Sequence, residues 1–331
     1  PGRPSRGGSR TTSPAPPRLH SLGSVGTADL GGPVTETRRD SFAGAMREAQ
    51  RPTGPLVGSI VAVVLFASVM ATSILLALIP GITALGLTNI SSLAFLSVWI
   101  LLWVWLRFKE RRAFASIGFR SPSRAPLQIA RGAAIALGAM SLAVAVAVLT
   151  GNMEFLQTPD GSYAAWTALG WVIFALVGFS IQSGAEELIS RGYLIQSWMP
   201  RFGILAAMIA QTVFFTLAHS LNTGMNILSV LSLVLVSLLL GFWALSEGGL
   251  WGVIAFHAVW NWAQNSLFGI PVSGIPAENS LLAVVETTDA NPLVSGGLFG
   301  LEASLTTVVM LAIMAAATIA YWARGRNSRT A

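Results

Sequence analysis

The sequence predicts an all-α polytopic membrane protein, a helical bundle of about eight transmembrane helices, and three observations predict it. Hydrophobic residues make up 53% of the 331 and charged residues only 10%, too little polar surface to cover a water-soluble globule of this size. The apolar residues gather into runs of about 17 to 25, the length that crosses a hydrocarbon core of roughly 30 Å. The basic residues, finally, alternate with those runs in a single pattern: every Lys and Arg falls in segments that one orientation places on the same side.

The runs are 56–79, 91–106, 129–150, 164–183, 203–220, 225–245, 250–268 and 303–322. In lipid each has to be a helix, because no water is there to satisfy the backbone. With the N-terminus in the cytoplasm, the inside segments are the tail, the loop 107–131, the stretch around Arg191 and Arg201, and the C-terminal Arg324, Arg326 and Arg329. The outer loops 80–90, 151–163 and 269–302 hold no basic residue, yet carry Glu154, Asp160, Glu278, Glu286 and Asp289. The expectation is a multi-pass protein of a plasma membrane with both termini cytoplasmic. The scarcity of lysine beside many arginines fits a high-GC genome and so a bacterial membrane.

Two function classes drop out on composition. The net charge of +6 is scattered over tails and loops and forms no basic stripe with interleaved aromatics, so nucleic acid is not expected as a partner; the lipid bilayer is. The absence of cysteine excludes disulfides, thiolate ligands and a cysteine nucleophile. Residues 1–54, rich in Pro, Gly, Ser, Thr and Arg, are expected to be a disordered cytoplasmic tail ahead of a membrane domain at 55–331. The tail lacks the apolar core of a secretory signal, and Met46 is a candidate start. The loop 107–124 carries Phe108, Phe114, Ile117 and Phe119 among its basic residues, and either lies along the inner leaflet or is an ordinary cytoplasmic loop. The Gly-rich apolar loop 291–305 is either a re-entrant cap or an exposed loop and is given no site.

Ionisable groups inside a span cost about 2.5 to 3.5 kcal/mol each on insertion scales and mark interior sites. Here they converge. Glu186, Glu187 and Arg191 fall on the fourth helical segment, His219 on the fifth, and His257 with Asn261 on the seventh. Glu187 and Arg191 are four apart, on one face, in the favourable order for an ion pair. Glu186 lies about 100° around the helix and is left for chemistry, while His257 and Asn261 share a face, as do Phe215 and His219. A hairpin turning near 200–202 puts Glu186 and His219 at similar heights at roughly 1.5 Å per residue, a depth read as somewhat on the cytoplasmic side of the midplane. His20, in the tail, is given no role.

A buried glutamate beside a histidine can take a proton from water near neutral pH. A second histidine and an asparagine can donate to the oxyanion formed when water attacks a peptide carbonyl. Alternatively Glu186, His219 and His257 would be the protein ligands of a Zn2+ ion that keeps a position open for water. The residues leave metal and metal-free chemistry both open, although the absence of H-E-x-x-H excludes the common soluble zinc-protease helix.

At these residues the chain resembles the CPBP family of intramembrane proteases, which includes the type II CAAX prenyl endopeptidase. The family motifs E-E-x-x-x-R, F-x-x-x-H and H-x-x-x-N read here as EELISR from Glu186 to Arg191, FTLAH from Phe215 to His219 and HAVWN from His257 to Asn261. The resemblance covers the chain from Leu56 to its end. It implies eight helices around a cavity, and a CAAX-type intramembrane endopeptidase, metal-assisted or metal-free. Glu186 and His219 would activate water, and Glu187, Arg191, His257 and Asn261 would shape the site and stabilise the tetrahedral intermediate. The substrate would be a peptide or a membrane-anchored protein; prenylation does not carry over to a bacterium. Two other classes stand beside this reading: a non-catalytic scaffold or bacteriocin-immunity protein retaining the fold, and a proton-coupled carrier, against which the lack of an internal repeat counts.

Overall fold

The computed structural model describes residues 1–2, 42–82, 87–157 and 165–327. Most of the expected tail, His20 included, lies outside those residues, as do Asp160 and Arg329. The chain divides into two units, Pro1–Pro33 and Val34–Ala331, and every helix among the described residues belongs to the second.

Its helices follow the apolar runs. α1 (Pro55–Ala77) opens with a proline in its first turn, where a missing N–H costs nothing. α2 (Leu87–Ala94) and α3 (Leu96–Val104) run on into a wide π-helical turn, Trp105–Glu110, which Arg111 ends in the left-handed region at φ 55°. α4 (Ala125–Leu149) follows. α5 (Leu169–Glu187) continues through a second π segment, Leu188–Leu194, into α6 (Ile195–Ala218). α7 (Ile227–Glu247) starts at a capping box formed by Asn226 and Ser229 and stops at Gly248, φ 70°. α8 (Trp251–Trp262) ends in a third π turn, Ala263–Leu267; a four-residue α9 (Pro292–Ser295) and the long α10 (Leu305–Asn327) complete the order. Among the described residues two short strands, β1 (Met153–Phe155) and β2 (Val284–Glu286), pair antiparallel beside the helical bundle.

Among the described residues six segments are long and apolar enough to cross a membrane. One of them, Trp166–Ala218, has 53 residues and cannot be a single straight crossing. Gly203 breaks it with φ 76° and ψ −177°, a conformation essentially restricted to glycine, and the chain folds back there, one residue beyond the expected turn. Together α8 and its π turn add a shorter apolar segment. Large apolar side chains such as Leu56, Ile74, Leu149 and Leu205 stand exposed on the bundle surface, as a lipid-facing surface requires. This is a multi-pass helical membrane protein.

Inside, α8 packs along α4 and α5, and α10 along α7. The α4–α8 approach depends on Gly132, where a Cβ would collide with the Gly252 carbonyl.

One expectation needs correction. Residues 42–54 are not disordered: Phe42 and Met46 are in the main core, and the Thr53 hydroxyl donates to the Glu110 carboxylate. Glu110 is fully buried and also accepts from Tyr193 Oη at 3.0 Å and Arg112 Nε at 2.6 Å, so the segment supplies a donor that a buried carboxylate needs. The loop 107–124 packs against the bundle over part of its length: Ser116 and Ile117 are buried, and Phe119 stacks against Trp99 and packs edge-on to Trp251, while Phe108 stays exposed. Of the two readings of the loop 291–305, the packed one fits, with Phe299, Leu301 and Ala303 fully buried.

Candidate active site

The hairpin α5–α6 and helix α8 bring the intramembrane polar residues together. Glu187 is enclosed completely. Its Oε1 accepts from Arg191 Nη1 at 2.9 Å and from His257 Nδ1 at 2.8 Å. Arg191, equally enclosed, lies 4.3 Å from the centre of the Phe215 ring and reaches Ser237 Oγ at 3.4 Å. The i,i+4 spacing thus places the ion pair, and the second link to α8 comes from the same carboxylate oxygen.

Glu186 points elsewhere. Its Oε1 accepts from Gln182 at 3.3 Å, whereas Oε2 makes no hydrogen bond among the described residues. That oxygen lies 3.8 Å from His219 Nε2 and 3.9 Å from His257 Nε2. The imidazoles are oriented from behind. His219 Nδ1 is 2.8 Å from the Phe215 carbonyl, which can only accept, so Nδ1 carries the hydrogen and the neutral ring presents a lone pair at Nε2. The same argument applies to His257, whose Nδ1 is held by Glu187. Three lone-pair atoms therefore face one another with no donor among them. The separations exceed a direct hydrogen bond and suit one water that donates to two of them.

The donor set is of the type zinc takes, and each histidine has the backing acceptor common behind metal ligands. The spacing does not fit. A tetrahedral site with bonds of about 2.0–2.1 Å has edges of about 3.3 Å, shorter than the 3.8 and 3.9 Å measured. Among the described residues no three His, Asp or Glu side chains are gathered to hold an ion.

Beside the imidazoles is a cavity with about 450 Å³ of empty space, part of it open to the outside. His219, His257 and Asn261 line it, with Phe215, Phe256 and Trp260; Glu186 does not. The far wall comes from loops: Ser273, Phe299 and Glu302. Sequence reasoning missed Glu302, a single carboxylate in a Gly-rich loop with no partner at helical spacing; the only signal was a charge between Gly300 and a long apolar run.

His219 is the C-cap of α6, about 24 Å of helix from Gly203 at 1.5 Å per residue. The cavity extends from there toward the loops that carry no Lys or Arg. The site thus lies away from the Gly203 end of the bundle.

The interior of this polytopic bundle thus holds a carboxylate between two oriented imidazoles, an arrangement able to hold and polarise a water. Residues 164–263, the part of the chain from α5 through α8, match the family described as Type II CAAX prenyl endopeptidase Rce1-like. This segment, under a third of the chain, is similar to that CAAX-type intramembrane protease family, the one its motifs resemble, and it contains all seven motif residues. No curated protein and no solved structure matches the chain.

Proposed function

We propose that the protein is an intramembrane endopeptidase that hydrolyses a peptide bond by glutamate- and histidine-activated water. The observation that carries this reading is the convergence of Glu186 Oε2 with two Nε2 atoms at 3.8 and 3.9 Å, each imidazole pinned at its other nitrogen. A water held there loses a proton to Glu186 as its oxygen bonds to the scissile carbonyl carbon. Asn261, on the cavity wall, has an amide to donate to the resulting oxyanion. The proton passes through His219 to the leaving nitrogen as the C–N bond breaks, which restores the site. Glu187 and Arg191 touch no reacting atom; they fix the tautomer and direction of His257.

The substrate is a peptide or a membrane-associated protein segment that can reach the bundle interior. No step in this scheme runs through a metal, since the three donors stand too far apart for zinc as placed.

The test is a cleavage assay in detergent or liposomes on a panel of peptides, a prenylated CAAX peptide among them, with and without a strong zinc chelator. Cleavage should fall by at least about a hundredfold in Glu186→Gln and in His219→Ala, the scale of a lost general base. Cleavage that survives both substitutions would refute the assignment. Cleavage abolished by chelator and restored by zinc would show that the donors close on an ion in the working enzyme.

A further inference from the structure

The cavity beside the imidazoles contains a charge that the proposed chemistry does not use. Glu302 Oε2 accepts from the Ser273 backbone N–H at 2.6 Å and from its hydroxyl at 2.8 Å. Oε1 makes no hydrogen bond to the described residues, and Glu302 lines the cavity. No Lys or Arg among the described residues forms an ion pair with it, and Arg191 is committed to Glu187. His219 and His257, which line the same cavity, would act on its charge only when protonated. Phe215, Phe256, Trp260, Phe299 and three aliphatic side chains make much of the rest of the wall apolar, and the polar groups there besides the histidines, Ser232, Ser273, Thr307 and Asn261, are uncharged. An unpaired carboxylate in such a wall is costly unless a cation arrives with the ligand.

We propose that this cavity is a specificity pocket for a basic side chain, lysine or arginine, next to the scissile bond, with Glu302 as its counter-charge. The proposal rests on the protease reading for what it calls the scissile bond, but not for the pocket itself. The chemistry matches along its length. Lysine and arginine have apolar stems that Phe256 and Phe215 would cover, and a cation gains further from aromatic faces. At the far end, the two hydrogen bonds from Ser273 hold one carboxylate oxygen and leave the other for the guest. The packed loop Gly297–Ala303, whose Phe299 is fully buried, fixes Glu302 in place.

Two measurements test it. The first needs no catalysis: thermal stability of the purified protein is followed with benzamidine and with its neutral near-isostere benzamide. Benzamidine should raise the midpoint in the wild type and not in Glu302→Gln, which retains an oxygen to accept from Ser273. Equal responses in the two proteins, or to the two compounds, would overturn the proposal. The second compares kcat/KM for peptides differing only in Lys, Arg, norleucine or Glu beside the cleaved bond. A basic residue should be preferred over norleucine by about tenfold or more, the ratio should collapse in Glu302→Gln, and Glu302→Lys should favour the Glu peptide. Glu186-dependent cleavage without any basic preference leaves the protease reading standing and refutes the pocket. Glu302-dependent benzamidine binding in a protein that cleaves nothing does the reverse.

Discussion

Removing Arg191 should unfold the site more than any change on the bundle surface. Arg191 and Glu187 are both fully enclosed and 2.9 Å apart. Two unit charges about 4 Å apart attract by about 4 kcal/mol at an effective dielectric constant of about 20. Arg191→Met leaves Glu187 as a buried charge with only His257 donating to it, and breaking such a pair from one side costs about 3–5 kcal/mol. The double variant Glu187→Gln with Arg191→Met removes the charge but keeps an oxygen to accept from His257 Nδ1, so it should recover most of that loss. With 11 tryptophans and no cysteine, intrinsic fluorescence during heating in detergent is the natural assay. At about 2–4 °C per kcal/mol for a large domain, Arg191→Met should lower the midpoint by roughly 10 °C. A drop below about 2 °C, or a double variant as unstable as the two single losses added together, would refute the reasoning that an uncompensated charge is what the arginine prevents.

Gly203→Ala should lower the midpoint by several degrees, because alanine at φ 76°, ψ −177° costs about 1–3 kcal/mol although a Cβ there meets no atom; a neutral result in the same melt would mean the turn relaxes. Gly132→Val should disrupt the α4–α8 crossing, where even a Cβ strikes the Gly252 carbonyl, and size-exclusion profiles in detergent should show aggregation. Burial, the largest influence, holds the Glu302 carboxyl above its ordinary range. Ionising it therefore opposes folding, so its unfavourable contribution is absent below the unfolded pKa and grows as pH rises from there through the folded one. Melts across pH 4.5–8 should show that decline in the wild type and a shallower one in Glu302→Gln; parallel curves would contradict it.

The helices were legible because apolar length is a strong signal in a chain with few charges. The face sharing of Glu187 with Arg191 and of His257 with Asn261 was legible because helical spacing fixes it. What escaped was set by tertiary context. Nothing local says that Glu187 also receives His257, since that contact joins residues 70 apart. The π turn Leu188–Leu194 leaves no mark in the pattern. Phe42 and Met46 look unremarkable in a Gly- and Arg-rich tail, and their burial depends on a surface built by later helices. Glu302 could not be separated from the other outer acids without knowing that its loop packs inward.

The Glu110 cluster has a practical meaning for anyone who shortens this protein. Thr53, Lys109, Arg112 and Tyr193 meet around that carboxylate, and Tyr193 is two residues past Arg191 on the same π turn. A truncation at the first membrane helix would remove Phe42, Met46 and Thr53 together, opening a hole beneath the segment that bears the glutamate pair. Expression boundaries, fusion tags and protease sites therefore belong upstream of Phe42, and a loss of activity in a shorter version should be attributed to a loosened foundation before any role is assigned to the deleted residues themselves.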